Sequence, residues 1–167
     1  MTLLIGYGNP GRGDDGLGPE FARWAVEQAL PGLVVMSDFQ LKVEHAIAVS
    51  SATRVIFVDS CIGHSQGCTL DPLEPSQDTA IDSHSLHPAA VLSLASMLFD
   101  ATPPAFVLAI GGTDFEMLHD GLSQDAARNL AEAKRRFLDW FHGEAPGNAA
   151  HALEVADGAT APVRRAN

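Results

Sequence analysis

Apolar residues fall into short β-rich runs that alternate with stretches of helical spacing. Thr2–Tyr7 is a compact apolar run leading into glycines and predicts a first strand. Residues 19–30 carry Phe21, Trp24 and Ala25 at helical spacing, with Leu17 just ahead, and Pro31-Gly32 ends that helix. A second strand is predicted at 33–36, stopped at Ser37-Asp38. A short helix follows at 43–50, with Val43, Ala46, Ile47 and Ser50 on one face. The run Val-Ile-Phe-Val within 54–59 reads as a strand buried on both sides, ending at Asp59. Cys68–Leu73 is a further strand candidate at a sheet edge, because Pro72 cannot donate to a ladder. Pro88–Phe99 is apolar nearly all round and predicts a well-buried helix. Residues 105–110 form another central strand, ended by Gly111-Gly112. Ser123 can cap a long last helix to Phe141, with Ala127, Leu130, Ala131, Phe137, Leu138 and Phe141 on its inner side.

Strands alternating with helices predict an α/β fold: a three-layer sandwich, with a mostly parallel twisted sheet between helices on both faces. In such sheets ligands bind beyond the carboxyl ends of the strands. That rule directs attention to residues 6–18, 38–44, 59–68 and 111–121. A chain of 167 residues suits a single domain, expected over 1–143. Beyond Gly143 the sequence has no usable period, and 144–167 is expected to be a flexible tail.

Composition narrows the function. With 10 Lys and Arg against 21 Asp and Glu, the formal charge is −11, so nucleic acid and anionic membranes are disfavoured partners. No apolar run is long enough to span a bilayer. The first residues carry no basic region, and two cysteines make no disulfide framework, so a reducing cytoplasm is the expected location.

Gly6-Tyr7-Gly8-Asn9-Pro10-Gly11 matches the G-x-G-x-x-G spacing of dinucleotide-binding loops, and Asp38 falls near where a ribose-binding acid belongs. The chemistry argues against it. Pro10, Gly11 and Gly13 prolong the loop, and Asp14-Asp15 stand where a diphosphate would meet the helix N-terminus. Of these adjacent carboxylates, one is expected to cap and the other to face the cleft. Asp59 should lie at the same end of the sheet. Two loop carboxylates and an imidazole would suit a divalent transition metal, with His84 and His87 as candidate imidazoles. Each also has a plain alternative as a turn or helix-start residue. Cys61, His64 and Cys68 make a weak zinc or Cys–His pattern, and partly buried, inert thiols explain them as well. Gln40 and Glu44 either line the cleft or begin a helix. Gly111-Gly112-Thr113-Asp114 is either a turn or a grip for an extended segment, with Met117, Leu118 and His119 nearby as further contacts. No nucleophile elbow and no His-Glu-x-x-His helix is present.

The opening Gly6-Tyr7-Gly8-Asn9, then Gly13-Asp14-Asp15-Gly16-Leu17-Gly18, resembles the signature of the hydrogenase maturation endopeptidases. The resemblance continues through Val58-Asp59, through Ser83-His84 followed by Val91-Leu92-Ser93-Leu94-Ala95, and through Gly121-Leu122-Ser123. It implies three metal-binding residues, which fall on Asp15, Asp59 and His84, and these are also the implied catalytic set. His84 has the family's spacing to Val91-Leu92, whereas His87 falls where a small residue is common; His87 stands as a substitute or neighbour. Asp38-Phe39-Gln40-Leu41 departs from the Asp-Gly-Gly-Thr of many relatives. The stretch through Glu44 is similar to the subgroup that matures NAD-linked cytoplasmic hydrogenases.

The implied activity is one peptide cleavage, removing a C-terminal extension from the nickel-loaded precursor of a nickel–iron hydrogenase large subunit. Nickel would come with the substrate and leave the resting site empty. Two carboxylates and one imidazole make a weaker, more open site than a closed cage, with positions left for substrate ligands. A different class of protein, a non-catalytic metal or nucleotide sensor on a Rossmann-like sheet, is the alternative.

Overall fold

A computed structural model describes residues 1–62, 67–76 and 86–143. Five strands form one sheet: β1 (Thr2–Tyr7), β2 (Leu33–Asp38), β3 (Arg54–Ile62), β4 (Cys68–Leu73) and β5 (Ala105–Gly112). They lie in the order β2-β1-β3-β5-β4, with β4 alone antiparallel. Four helices cover it: α1 (Leu17–Glu27), α2 (His45–Ser50), α3 (Pro88–Phe99) and α4 (Gln124–His142). The three-layer, mostly parallel α/β architecture expected from the pattern is therefore present. Pro72 sits on an edge strand, as its missing N–H requires. The expected tail at 144–167 lies outside the described residues.

Alternation along the strands divides the core in two. Leu4, Ile56, Val58, Leu108 and Ile110 pack under α1 and α4, with Phe21 and Phe137 at the centre. Leu3, Ile5, Val55 and Phe57 point the other way, under Ala46 and Val49 of α2 and Val91, Leu92 and Ala95 of α3. Strand order reverses at β1 and β3: the crossover that leaves β1 packs on one face and the one that leaves β3 on the other, opening a crevice at their carboxyl ends.

Several helix faces differ from the expectation. The buried side of α2 is His45, Ala46 and Val49, while Val43 and Ile47 are exposed. On α4 the inner side is Ala126, Asn129, Leu130, Ala133, Phe137 and Trp140, and Ala127 and Ala131 face out. In both, a polar residue (His45, Asn129) occupies a buried position because its hydrogen bonds are met, which shifts the apparent apolar stripe. Asn129 accepts from the Gly67 amide and donates to the Gly111 carbonyl, each at 2.8 Å. The end of α3 is also less buried than its composition suggests, with Met97, Leu98 and Phe99 exposed.

Close helix–strand contact holds the crevice in shape. A Cβ on Gly18 would lie 2.2 Å from the Tyr7 carbonyl oxygen, and one on Gly6 would lie 2.3 Å from that of Gly18. Gly18→Ala is expected to cost about 1–3 kcal/mol through overpacking, read as a lower urea midpoint. An unchanged midpoint would show that α1 can retreat from β1 freely.

Candidate active site

The loop after β1 folds on itself. Gly8 adopts φ +138° and passes so close to Asp15 that a Cβ would lie 2.0 Å from the Asp15 carbonyl oxygen. Asn9 Oδ1 accepts from the Gly11 amide at 2.9 Å, and the Asn9 amide donates to Asp15 Oδ2 at 3.1 Å. Residues Gly13–Gly16 form one 3-10 turn leading into α1. Asp15 is thereby held half-buried at the mouth of the crevice. Its other oxygen, Oδ1, lies 3.5 Å from the Ser60 hydroxyl, which can donate to it.

These bonds also decide against a dinucleotide. The amides that would cradle a pyrophosphate are already engaged: Gly8 donates to the Asp38 carbonyl, Asn9 to Asp15, Gly11 to Asn9 and Arg12 to the Asn9 carbonyl. Asp38 is engaged as well, with Lys42 Nζ at 2.6 Å and the Phe39 amide at 2.7 Å. The Lys42 hydrogen bond is the main force that holds its pKa down.

Asp59 occupies the strand beside the loop. Gly6 pairs with Val58 in parallel register, so Tyr7 and Asp59 follow as neighbours. Both project on the α2/α3 face, continuing the Ile5 and Phe57 rows. Asp59 Oδ1 accepts from the Ser60 amide at 2.7 Å, and the Tyr7 phenol lies near enough to act on its carboxyl. Burial pushes the Asp59 carboxyl up, and the nearby Asp15 charge adds to this. The bonds from Tyr7 and Ser60 and the charge of His87 oppose the rise without cancelling it. Burial, then the charge and hydrogen bond of Asp59, drive the Tyr7 phenol well above its ordinary value. Ser60 thus bridges the pair: its amide serves Asp59 and its hydroxyl faces Asp15.

Asp14 does something different from capping the helix that follows it. It is fully buried, and four donors converge on it from across the molecule. Its Oδ2 accepts from the Thr113 amide at 2.7 Å, the Asp114 amide at 2.9 Å and the Ser123 hydroxyl at 2.8 Å. Its Oδ1 accepts from the Ser123 amide at 2.7 Å. Burial alone would raise its pKa, but these bonds override it and hold the carboxyl below the usual range. Backbone pairs Gly13–His119, Asp14–Asp114 and Leu118–Gly11 complete the junction of the two loops. Of the two adjacent aspartates, Asp15 is the one at the crevice.

His84 lies outside the described residues, as do His64 and the rest of 63–66 and 77–85. His87 stands at the N-cap of α3, where its Nδ1 accepts weakly from the Ala89 amide at 3.4 Å. Its charge reaches Asp59. Among the described residues, no group of three His, Cys, Asp or Glu side chains is arranged to hold a metal ion. Cys61 is half-buried on β3, and burial pushes the thiol of Cys68 up. Gln40 and Glu44 are exposed. Asp114 pairs with His119 Nδ1 at 2.5 Å in the loop after β5. A cleft of about 530 Å³ opens beside these loops, lined by Pro10, Gly13, Gly16, Glu20, Asp120, Gly121 and Leu122. Among the described residues no helix is long and apolar enough to cross a membrane.

The sequence pattern assigns no role to Tyr7 within its glycine motif, and none to Ser60. Strand alternation placing Tyr7 two residues after Ile5 would have put it on the Asp59 face once the β1–β3 pairing was known.

The architecture is the hydrogenase maturation endopeptidase fold. HybD, the hydrogenase maturating endopeptidase from Escherichia coli, superposes with TM-score 0.64 at 18% identity, over 86% of this chain and 93% of its own. The [NiFe] hydrogenase maturation protease HycI from Thermococcus kodakarensis KOD1 gives TM-score 0.62 at 17% identity, over 86% and 90%. A hydrogenase 2 maturation peptidase from Thaumarchaeota archaeon SCGC_AB-539-E09 gives 0.61 at 18%, over 84% and 97%. No protein-family model matches the chain. No curated protein matches it in sequence.

Proposed function

We propose that the protein is an endopeptidase that removes the C-terminal extension from the nickel-loaded precursor of a nickel–iron hydrogenase large subunit. The observation that carries this reading is the pairing of Asp15 and Asp59 at the crevice between β1 and β3. It is built from the same loop and strand whose residues resemble the maturation endopeptidases, in the fold those enzymes share. A processing role is supported by that fold at the level of class. Nickel recognition, and a substrate from an NAD-linked hydrogenase, are the finer parts of the proposal.

Asp15, Asp59 and His84 would meet the substrate's nickel, and the same three make the catalytic set. The two carboxylates fit a divalent ion by their charge and mutual repulsion. Asp59 is partly desolvated beside Asp15, so an incoming cation relieves a cost already present in the folded protein. Asn9 and Ser60 hold Asp15, while the Ser60 amide holds Asp59, leaving few ways for either carboxylate to turn away. Docking of the loaded centre would place the chain beyond it along the strand ends. A missing nickel would remove the anchor. The net charge of −11 would favour a basic face on the precursor.

The test is the size of a purified large-subunit precursor after incubation with the protein, nickel-loaded in one sample and nickel-free in the other. Shortening of the loaded form alone is the expected result. If a precursor encoded beside this protein shortens in neither sample, the peptidase reading is wrong.

A further inference from the structure

The loop between β5 and α4 carries a carboxylate–imidazole pair that the three residues assigned to the metal leave unused. Asp114 Oδ2 lies 2.5 Å from His119 Nδ1. The other oxygen of Asp114, Oδ1, accepts from the Glu116 amide at 3.1 Å, which fixes the plane of the carboxylate. Its backbone is held by the opening loop. The Asp114 amide donates to Asp14 Oδ2 at 2.9 Å, and the Asp114 carbonyl accepts from the Asp14 amide at 2.7 Å. The histidine is held in the same way. Its carbonyl accepts from the Gly13 amide at 2.7 Å, and His119 pairs with Arg12 in a parallel bridge. Both ends of the pair are thus tied to residues 12–14, which lead directly into Asp15. The imidazole stays 55% exposed, and Asp120, Gly121 and Leu122 after it line the 530 Å³ cleft with Gly13 and Gly16. An exposed ion pair adds little stability, and here backbone bonds already join the two loops. What the carboxylate does do is keep the proton on Nδ1, which leaves Nε2 as an acceptor.

We propose that His119, oriented by Asp114, is the proton-transfer residue of the cleavage, acting on the precursor chain where it passes from the Asp15–Asp59 crevice to this cleft. This rests on the peptidase reading above and adds to it the group that handles the proton. Nε2 takes a proton from a water molecule as the water oxygen bonds to the scissile carbonyl carbon. The same proton passes to the amide nitrogen as the C–N bond breaks, which leaves a carboxyl end, an amine end and a neutral imidazole. A positioned acid–base group ordinarily contributes about 10²–10⁴-fold in rate.

The experiment measures kcat and KM of the full chain on the nickel-loaded precursor for wild type, His119→Ala, His119→Gln and Asp114→Asn. Thermal unfolding is followed for each, and nickel ion alone is titrated calorimetrically into each. Both His119 variants are expected to melt and to bind nickel ion like wild type, while kcat falls about 100-fold or more at little-changed KM. Added imidazole should restore part of the rate to His119→Ala. In Asp114→Asn the side-chain oxygen can still accept from the Glu116 amide, but its amide group can donate to Nδ1 and hold the wrong tautomer, so kcat should fall about tenfold or more. Wild-type kcat in both His119 variants, or a loss confined to KM or to nickel binding, overturns the assignment. Wild type that leaves the loaded precursor uncut overturns the peptidase reading itself, and this assignment with it.

Discussion

Asp59→Asn is expected to leave the nickel-loaded precursor uncut while the protein unfolds at the same temperature or a higher one. The amide keeps the shape of the carboxylate, and its oxygen can still accept from the Ser60 amide, as Oδ1 now does at 2.7 Å. What it loses is the charge that would meet the metal. Removing an outer partner of a ligand typically costs about 10–100-fold, and removing the ligand's charge should exceed that. The stability side follows from the direction of the pKa shift. A carboxyl raised in the folded state binds its proton more tightly there, so its favourable contribution is present at low pH and is lost as pH rises through the folded value. At neutral pH the ionised Asp59 therefore works against folding, and the neutral amide relieves this. Gel analysis of the precursor and a thermal melt read the two effects. Processing at the wild-type rate would remove Asp59 from the site.

Asp14→Ala should be the most destabilising single substitution in the loops. It would leave the amides of Thr113, Asp114 and Ser123 and one hydroxyl without their acceptor in a buried place. Leaving buried donors without their acceptor costs about 1–3 kcal/mol each, together a large share of the roughly 5–15 kcal/mol that holds a domain together. The signature is in the pH dependence. Because the folded Asp14 carboxyl lies below its usual range, its stabilisation is complete above the unfolded value and fades as pH falls through the folded one. Urea midpoints of wild type should therefore drop below about pH 4, and Asp14→Asn, already weaker at pH 7, should lack that part of the drop. Equal slopes for the two proteins would mean that Asp14 is not the group responsible.

The order and type of elements were legible because β1, β3 and β5 are dense apolar runs and Pro31-Gly32 and Gly143 stop the first and last helices. The layers followed from alternation alone. Boundaries drifted where backbone bonding outlasts the apolar run: β3 continues past Asp59 to Ile62, pairing with β5 as far as Gly112. Helix faces were misread where His45 and Asn129 take buried places, since a satisfied polar residue looks exposed to any count of apolar spacing. Asp15 and Asp59 could be placed near one another because both follow strands at the same edge of a parallel sheet. Asp14 could not be assigned its role, because its four donors lie about a hundred residues further along the chain.

The self-bonded loop after β1 has a consequence for how fast and how selectively a partner is taken up. Its amides are spent on Asn9, Asp15 and Asp38 before any ligand arrives, so the crevice wall is already in its working shape. Little conformational freedom remains there to be lost on association. A site so prepared cannot mould itself around a poor ligand, and under the proposed function a precursor whose centre is incompletely assembled would meet a rigid gauge rather than an accommodating one.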